Sequence, residues 1–447
     1  MKAPARGTES LSLACACLTR YKLTKCASLP TLWAVFWPFR LFLSLYPKMS
    51  STTPTALAEL AWLFLRLGAT AFGGPAVHIA LMEEEVVRRR GWLTQQQFLD
   101  LLSAANLIPG PNSTELAIHI GYERRGWAGL LVAGTCFILP AMLLVIAFAW
   151  AYVRFGTLPA LAGVLYGVKP VIVAVVAQAL WSLGKSALRT WSLRLVAGAA
   201  LVLGLLGANE LLLLLAAGLV SSALSWPALP RKTVPPALLK LAGAVTALAL
   251  LPLLLGLGPS GTPAAGVATP LGLLPLGLAF IKIGSVLYGS GYVLLAFLDA
   301  DLVQRFHWLT QGQLLDAVVV GQVTPGPVFT TATFVGYVLL GWRGALVATI
   351  GIFLPAFLFV GFSTKLVAQL RQSPLAGAFL DGLNAASWAL MAVVSFALAR
   401  TALLDGPTVL LAAGSNLLLL RYRINSAWLV LGGAALGYGL QALGWAA

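Results

Sequence analysis

A long apolar run is broken in mid-course by Leu107-Ile108-Pro109-Gly110-Pro111-Asn112-Ser113-Thr114-Glu115, and the break returns as Val323-Thr324-Pro325-Gly326-Pro327-Val328-Phe329-Thr330-Thr331. Each proline removes a backbone donor and clashes with the preceding helical turn. The glycine opens backbone angles closed to other residues, so no continuous α-helix passes through either copy. In a bilayer such a break is tolerated only where protein or a polar cavity surrounds the exposed backbone groups. Pro111 suits a first helical position, and Asn112, Ser113 and Thr114 then open a new helix whose N–H groups and positive dipole end suit an anion.

The surrounding chain is built for lipid. It is 59% hydrophobic and 10% charged, with a mean hydropathy of +0.90, far above an ordinary globular domain. Apolar runs of spanning length recur, among them 57–80, 127–153, 160–183, 271–298, 343–362 and 375–398. The net charge of +15 would suggest nucleic acid in a soluble chain, but here the basic residues fall in loops between apolar runs. Membrane orientation accounts for them, and no nucleic acid partner is expected. Cys15, Cys17, Cys26 and Cys136 offer neither a pairing framework nor zinc-type spacing, so neither metal nor cofactor is expected.

Residues 1–48 carry Lys and Arg against the single acid Glu9, with no clear span. They read as a poorly ordered basic extension, with Met49 opening the functional protein. The first half then brings Arg66 onto an apolar run, followed by the interruption Phe72-Gly73-Gly74-Pro75. A cation in a span faces the bundle interior or snorkels to the interface, which makes Arg66 a candidate anion partner. The cluster from Glu83 to Arg90 reads as a solvated loop helix with Glu84–Arg88 and Glu85–Arg89 pairs. Trp92-Leu93-Thr94-Gln95 reads as an interfacial anchor and helix cap, His78 and His307 as interfacial or loop residues, and Asp100 and Asp316 as residues near helix starts.

The second half repeats this order. Phe64, Arg66, Gly68, Phe72 and Gly73 align with Phe280, Lys282, Gly284, Tyr288 and Gly289, and Trp92 and Pro109 with Trp308 and Pro325, every pair 216 residues apart. After one deletion Gly126 and Pro140 align with Gly341 and Pro355 at 215. So many matches in register establish an internal duplication. The predicted organisation is an extension (1–48), a first repeat (49–235), a linker helix and loop (236–270) and a second repeat (271–447).

Taken together, the Phe-Gly-Gly-Pro run, the Glu- and Arg-rich loop into Trp-Leu-Thr, the Pro-Gly-Pro break, the Gly-Tyr and Leu-Pro-Ala markers and their duplication resemble the chromate transporter family in its two-domain form. The resemblance implies a multi-pass inner-membrane protein that exports chromate, a tetrahedral oxyanion similar to sulfate, from the cytoplasm. Asn112-Ser113-Thr114-Glu115 stands where that family often has an acid and glutamines, and the second glycine motif reads Gly289-Ser290-Gly291.

The expected fold is all-α and multi-pass, with two homologous halves arranged as inverted repeats whose helices are discontinuous at the Pro-Gly-Pro breaks. If each broken segment crosses once, about thirteen crossings result; if the breaks are re-entrant hairpins, about eleven result and the halves come out parallel. Desolvating an oxyanion requires several converging donors and a cation. The candidate substrate site comprises Arg66, Gly73, Gly74, Pro109, Gly110, Pro111, Asn112, Ser113, Thr114, Lys282, Gly289, Pro325, Gly326, Pro327, Thr330 and Thr331, with Glu115 and His119 as a proton-handling pair. Partners are the oxyanion and the lipid bilayer, and the sequence allows a homodimer. A transporter of another oxyanion such as sulfate, or an anion channel, is the alternative; no nucleophile pair or metal cluster suggests an enzyme.

Overall fold

The computed structural model describes residues 56–71, 74–156, 159–225, 270–288, 291, 293–370, 374–422 and 426–443, all within one compact unit, Ser51–Ala447. The predicted extension 1–48, the linker helix at 237–257, Gly73 and Gly289 lie outside the described residues.

The described residues form helices and connections only. The first half contains α1 (Leu57–Thr70), α2 (Pro75–Glu83, continued by a π-helical turn Glu84–Arg89), α3 (Gln95–Ala105), α4 (Asn112–Phe155), α5 (Pro159–Ala187), α6 (Trp191–Leu205) and α7 (Glu210–Ser225). The second repeats the order as α8 (Leu273–Val286), α9 (Leu294–Leu298 with the π-helical turn Asp299–Arg305), α10 (Gln311–Val323), α11 (Thr331–Leu370, preceded by the 3-10 turn Val328–Thr330), α12 (Pro374–Ala402), α13 (Gly406–Tyr422) and α14 (Ser426–Ala442). Thr94 and Thr310 start α3 and α10 with matching capping boxes, each hydroxyl accepting from the backbone N–H three residues on at 3.2 Å.

The two interruptions of each half turn the chain back on itself. Arg90 at the end of the π-helical turn reaches Glu59 at the start of α1, 2.6 Å away, and Arg66 pairs with Glu85 nearer the tip. These pairs close an antiparallel hairpin with Gly74 at its tip. Next along the chain, Arg124 donates to the Trp92 carbonyl at 3.1 Å and lies over the Trp92 ring, while Asn112 donates to Asn106 at 2.7 Å. The first pair joins the two ends of the segment and the second joins the residues flanking Pro109-Gly110-Pro111. The Pro-Gly-Pro break is therefore the tip of a second re-entrant hairpin, about 18 Å from its base at ~1.5 Å per residue. The helix is discontinuous as predicted, but it returns to its starting side instead of crossing.

At Arg125 and Gly126, and again at Leu340 and Gly341, the long helices bend sharply, with Gly126 at φ 56° and Gly341 at φ 65°. Only glycine takes such angles cheaply. The arms after the bends are apolar and about 43 Å long at ~1.5 Å per residue, ample for a hydrocarbon core of roughly 30 Å. Among the described residues, four segments are long and apolar enough to cross a bilayer: Asn112–Phe155, Ala162–Ala187, Val328–Phe362 and Pro374–Ala402.

The halves are inverted. Trp127, just after the first bend, packs on Gly361 and on the Phe362 ring at 5.6 Å, and Gly134 packs on Phe357, so equivalent arms of α4 and α11 run antiparallel. A pseudo-two-fold exchange joins them. Gly110 N–H donates to the Leu287 carbonyl at 2.8 Å and Gly326 N–H to the Ala71 carbonyl at 3.0 Å, and Leu287 and Ala71 are themselves equivalent positions. Glycines carry the same exchange outward: Gly433 of α14 lies against Gly167 of α5, and Ala217 of α7 against Gly382 of α12. Inversion thus coexists with re-entrant breaks, a combination that neither predicted topology contained, because the hairpins return the chain to the side from which it came.

Candidate functional site

A cavity of about 370 Å³ lies where the hairpin tips of both halves meet α5 and α12, within the ~300–1,000 Å³ of ordinary ligand pockets. Its inner wall is Pro111, Asn112 and Ser113 from one break and Pro327, Val328 and Phe329 from the other, with Pro75 and Gly291 from the neighbouring tips. The helical ladder of α4 begins at Thr114, whose N–H donates to the Pro111 carbonyl at 2.8 Å, so Asn112 and Ser113 precede it at the positive end of the helix dipole.

The side wall comes from Ser186 and Arg189 at the end of α5 and Asp381, Asn384, Ser387 and Trp388 of α12. Trp388 is fixed by donating its indole N–H to the Leu180 carbonyl at 2.8 Å. Ser387 is 2% exposed, and its hydroxyl finds no hydrogen-bond partner among the described residues. An unmet buried polar group costs about 1–3 kcal/mol, which a ligand oxygen would offset. At the mouth Arg189 pairs with Asp381 at 2.9 Å, both side chains substantially exposed.

Of the predicted residues, Pro111, Asn112, Ser113 and Pro327 line this cavity. Gly110 and Gly326 lie behind it in the exchange between halves, at φ 144° and 93°. Pro109 and Pro325 flank them, and Gly74 starts α2 at φ 80°. Arg66 and Lys282 do not line it. Lys282 donates to both carboxylate oxygens of Asp301 at 2.7 and 2.9 Å, with both side chains buried. Arg66 pairs with Glu85, which also receives Arg89 and Arg90. Glu85 and Asp301 are 216 residues apart, so one ion pair has been kept in both hairpins. Both cations meet an acid of their own hairpin, a use that the sequence reading did not foresee.

Thr330 and Thr331 turn their hydroxyls onto the Pro327 and Val328 carbonyls, each at 2.8 Å, instead of ringing the cavity. Thr114, Glu115 and His119 are buried behind the wall; both Glu115 carboxyl oxygens and His119 Nε2 lack a hydrogen-bond partner among the described residues. His78, expected at an interface or loop, is instead 1% exposed and bridges two tips, Nδ1 lying 3.2 Å from Ser113 Oγ and Nε2 3.1 Å from the Ala71 carbonyl. That corrects the reading of His78. His307 does lie exposed in a connection.

The glutamate cluster is also tighter than predicted: Arg89 pairs with Glu85 at 3.1 Å, but Glu85 is buried and the segment is π-helical. Ser186, Arg189, Asp381, Asn384, Ser387 and Trp388 were not anticipated. Ser186 lies at the end of α5, Arg189 in the connection after it, and Asp381, Asn384, Ser387 and Trp388 on α12; none matches a motif, and the signal in α12 is a few polar residues within an apolar run.

The family model described as chromate transporter matches residues 58–222 and again 274–438. The chain is 35% identical to the chromate transport protein of Cupriavidus metallidurans over 390 residues, 86% of this chain and 93% of that one. It is 30% identical to the probable chromate transport protein of Synechococcus elongatus, covering 80% and 88% of the two. It is 32% identical to the chromate transport protein of Pseudomonas aeruginosa, covering 78% and 82%. No solved structure matches the chain.

Proposed function

This chain belongs to the chromate transporter family, and on that premise we propose that it exports chromate from the cytoplasm across the inner membrane, taking the anion at the cavity between the two Pro-Gly-Pro tips. The observation that carries this reading is Ser387, a buried hydroxyl without a partner among the described residues, in the wall of a cavity that it shares with two helix starts of opposite halves. Oxyanion oxygens would accept from Ser387, from Asn384 and from the first backbone N–H groups after Pro111 and Pro327, while Arg189 supplies positive charge at the mouth. The anion passes through unchanged, so the work of the site is desolvation and release, not catalysis. Gly74, Pro109, Gly110, Pro325 and Gly326 serve in this reading as the frame of the tips. Arg66 and Lys282 hold the hairpins closed, and 49–235 and 271–447 act as the two transporter repeats.

The distribution of charge supports this orientation. Arg88, Arg89, Arg90, Arg124, Arg125, Lys185, Arg189 and Arg194 fall at one end of the bundle, where the first half's hairpins have their bases; Arg154, Arg305, Arg343 and Arg400 fall at the other. The more basic end is cytoplasmic, and the cavity reaches that end through Arg189. Everted vesicles test the proposal: chromate uptake should saturate, sulfate should compete, and Ser387→Ala should raise KM about tenfold at matched protein level. Uptake unaffected by Ser387→Ala and by Asn384→Ala would place the anion elsewhere.

A further inference from the structure

The pseudo-two-fold axis predicts a second cavity at the opposite end of the bundle, and that position can be inspected directly. At the 215-residue offset, Leu183, Ser387 and Trp388 of the open cavity correspond to Leu398, Ile172 and Val173. Those three line a void of about 10 Å³, at or below the space one water needs. Two equivalent places in one chain therefore differ, one open at about 370 Å³ and one shut.

A polar contact flanks the void, beside its lining residues Ile172 and Leu315. Asp316, near the start of α10, is bound to Lys169 of α5 at 3.0 Å and accepts from the Tyr152 hydroxyl of α4 at 2.9 Å. The contact ties the second half's re-entrant hairpin to two helices of the first. On the open side Asp100 is the equivalent of Asp316, but the equivalent of Lys169 is the neutral Asn384.

We propose that Lys169, Asp316 and Tyr152 latch a second oxyanion vestibule, and that in the opposite state, with the latch released, Lys169 faces the anion from the far side of the membrane. This rests on the site proposed above. Two halves of one fold in different conformations can exchange them, which closes the Arg189 side and opens the Lys169 side around the same pair of tips. Lys169 holds the position of Asn384, a wall residue of the open cavity, so release from Asp316 delivers a cation to the new cavity's wall. Chromate would then compete with Asp316 for Lys169 during opening.

The test uses the full chain with Cys15, Cys17, Cys26 and Cys136 replaced by serine, carrying Ser387→Cys or Ile172→Cys, in oriented vesicles with a membrane-impermeant thiol reagent. Ser387→Cys should react from the basic face and be protected by chromate. Ile172→Cys should be inert at rest and should react from the other face at least tenfold faster during chromate counterflow, or when Asp316→Asn releases the latch. Lys169→Ala should weaken chromate binding from that face about tenfold, with Lys169→Arg retaining it. If Ile172→Cys stays inert under both conditions while Ser387→Cys is labelled and protected, the second vestibule is refuted and the first site stands. If chromate does not protect Ser387→Cys, the site reading fails, whatever Ile172→Cys does. The counterflow arm uses the intact latch and does not depend on the folding of the Asp316 variant.

Discussion

Removing the Asp301 carboxylate separates two roles for the buried lysine of the second hairpin. Lys282 and Asp301 are 8% and 1% exposed at their side chains, with both oxygens of Asp301 bound to one ammonium. Neutralising one partner of such a pair leaves the other charge buried, at about 3–5 kcal/mol. Arg305 is 3.9 Å away and partly exposed, so it cannot replace the lysine-to-carboxylate geometry. Asp301→Asn and Lys282→Met should each therefore sharply lower yield and melting temperature in detergent. The double variant Lys282→Met/Asp301→Leu, which replaces the pair by apolar groups of similar volume, should recover most of that loss, since buried pairs and well-packed apolar pairs are often close in stability.

Transport by the double variant decides between the roles. If Lys282 only staples the hairpin, chromate KM in proteoliposomes stays within about twofold of the parent. An anion ligand gives the opposite result, because truncating one side of a buried charge pair typically costs about 2–5 kcal/mol of binding, more than tenfold in affinity. A folded double variant with lost chromate affinity would refute the staple. Arg66 and Glu85 should follow the same pattern more weakly, since Arg89 and Arg90 also reach Glu85.

Other outcomes follow from the same geometry. Gly110→Ala and Gly326→Ala should each destabilise the chain by about 1–3 kcal/mol, read as thermal melting, since both glycines take positive φ and a Cβ at Gly326 would meet Ala141 at 2.7 Å. Asp381→Asn should free Arg189 and lower the KM for chromate, whereas Arg189→Ala should raise it, measured in everted vesicles; equal effects of the two would argue against Arg189 as a ligand. Asp405, in the connection before α13, is held below the usual carboxylate range by the Tyr166 hydroxyl and by Thr408. Its stabilisation is present above the unfolded value of about 3.9 and is lost as pH falls through the lower folded value. Asp405→Asn should therefore reduce melting temperature at pH 7 and lose that effect in strong acid.

Much of the frame was legible because it is written twice. The breaks and the capping threonines recur at 216 residues, the glycines at the bends and at the α5–α14 crossing at 215, and each recurrence reports a backbone constraint that both halves share. The direction taken after a break was not legible. Hydropathy is equally satisfied by a helix that crosses and by one that returns, and the residues that close the hairpin, Glu59 with Arg90 and Trp92 with Arg124, lie far apart in sequence. The charges held a clue. In a topology where the breaks cross, Arg88, Arg89 and Arg90 fall opposite Arg124, Arg125, Lys185 and Arg189; once the breaks are re-entrant they join that basic end.

The binding and latch residues were missed for a related reason. A duplication highlights what the halves have in common, and an inverted pair with identical halves would have no preferred side. Ser387 stands opposite Ile172, Asn384 opposite Lys169 and Arg189 opposite Leu404 at the same offset. These departures make one vestibule polar and open and the other apolar and latched. Glu115 departs as well, since Thr330 and Thr331 occupy the corresponding stretch of the second copy. The conserved repeat thus builds a frame with two equivalent states, and the positions that break the repeat set which state is occupied and what each end offers an anion. In a chain of this kind the positions to mutate first are those where the two copies disagree on the walls that the repeat places together.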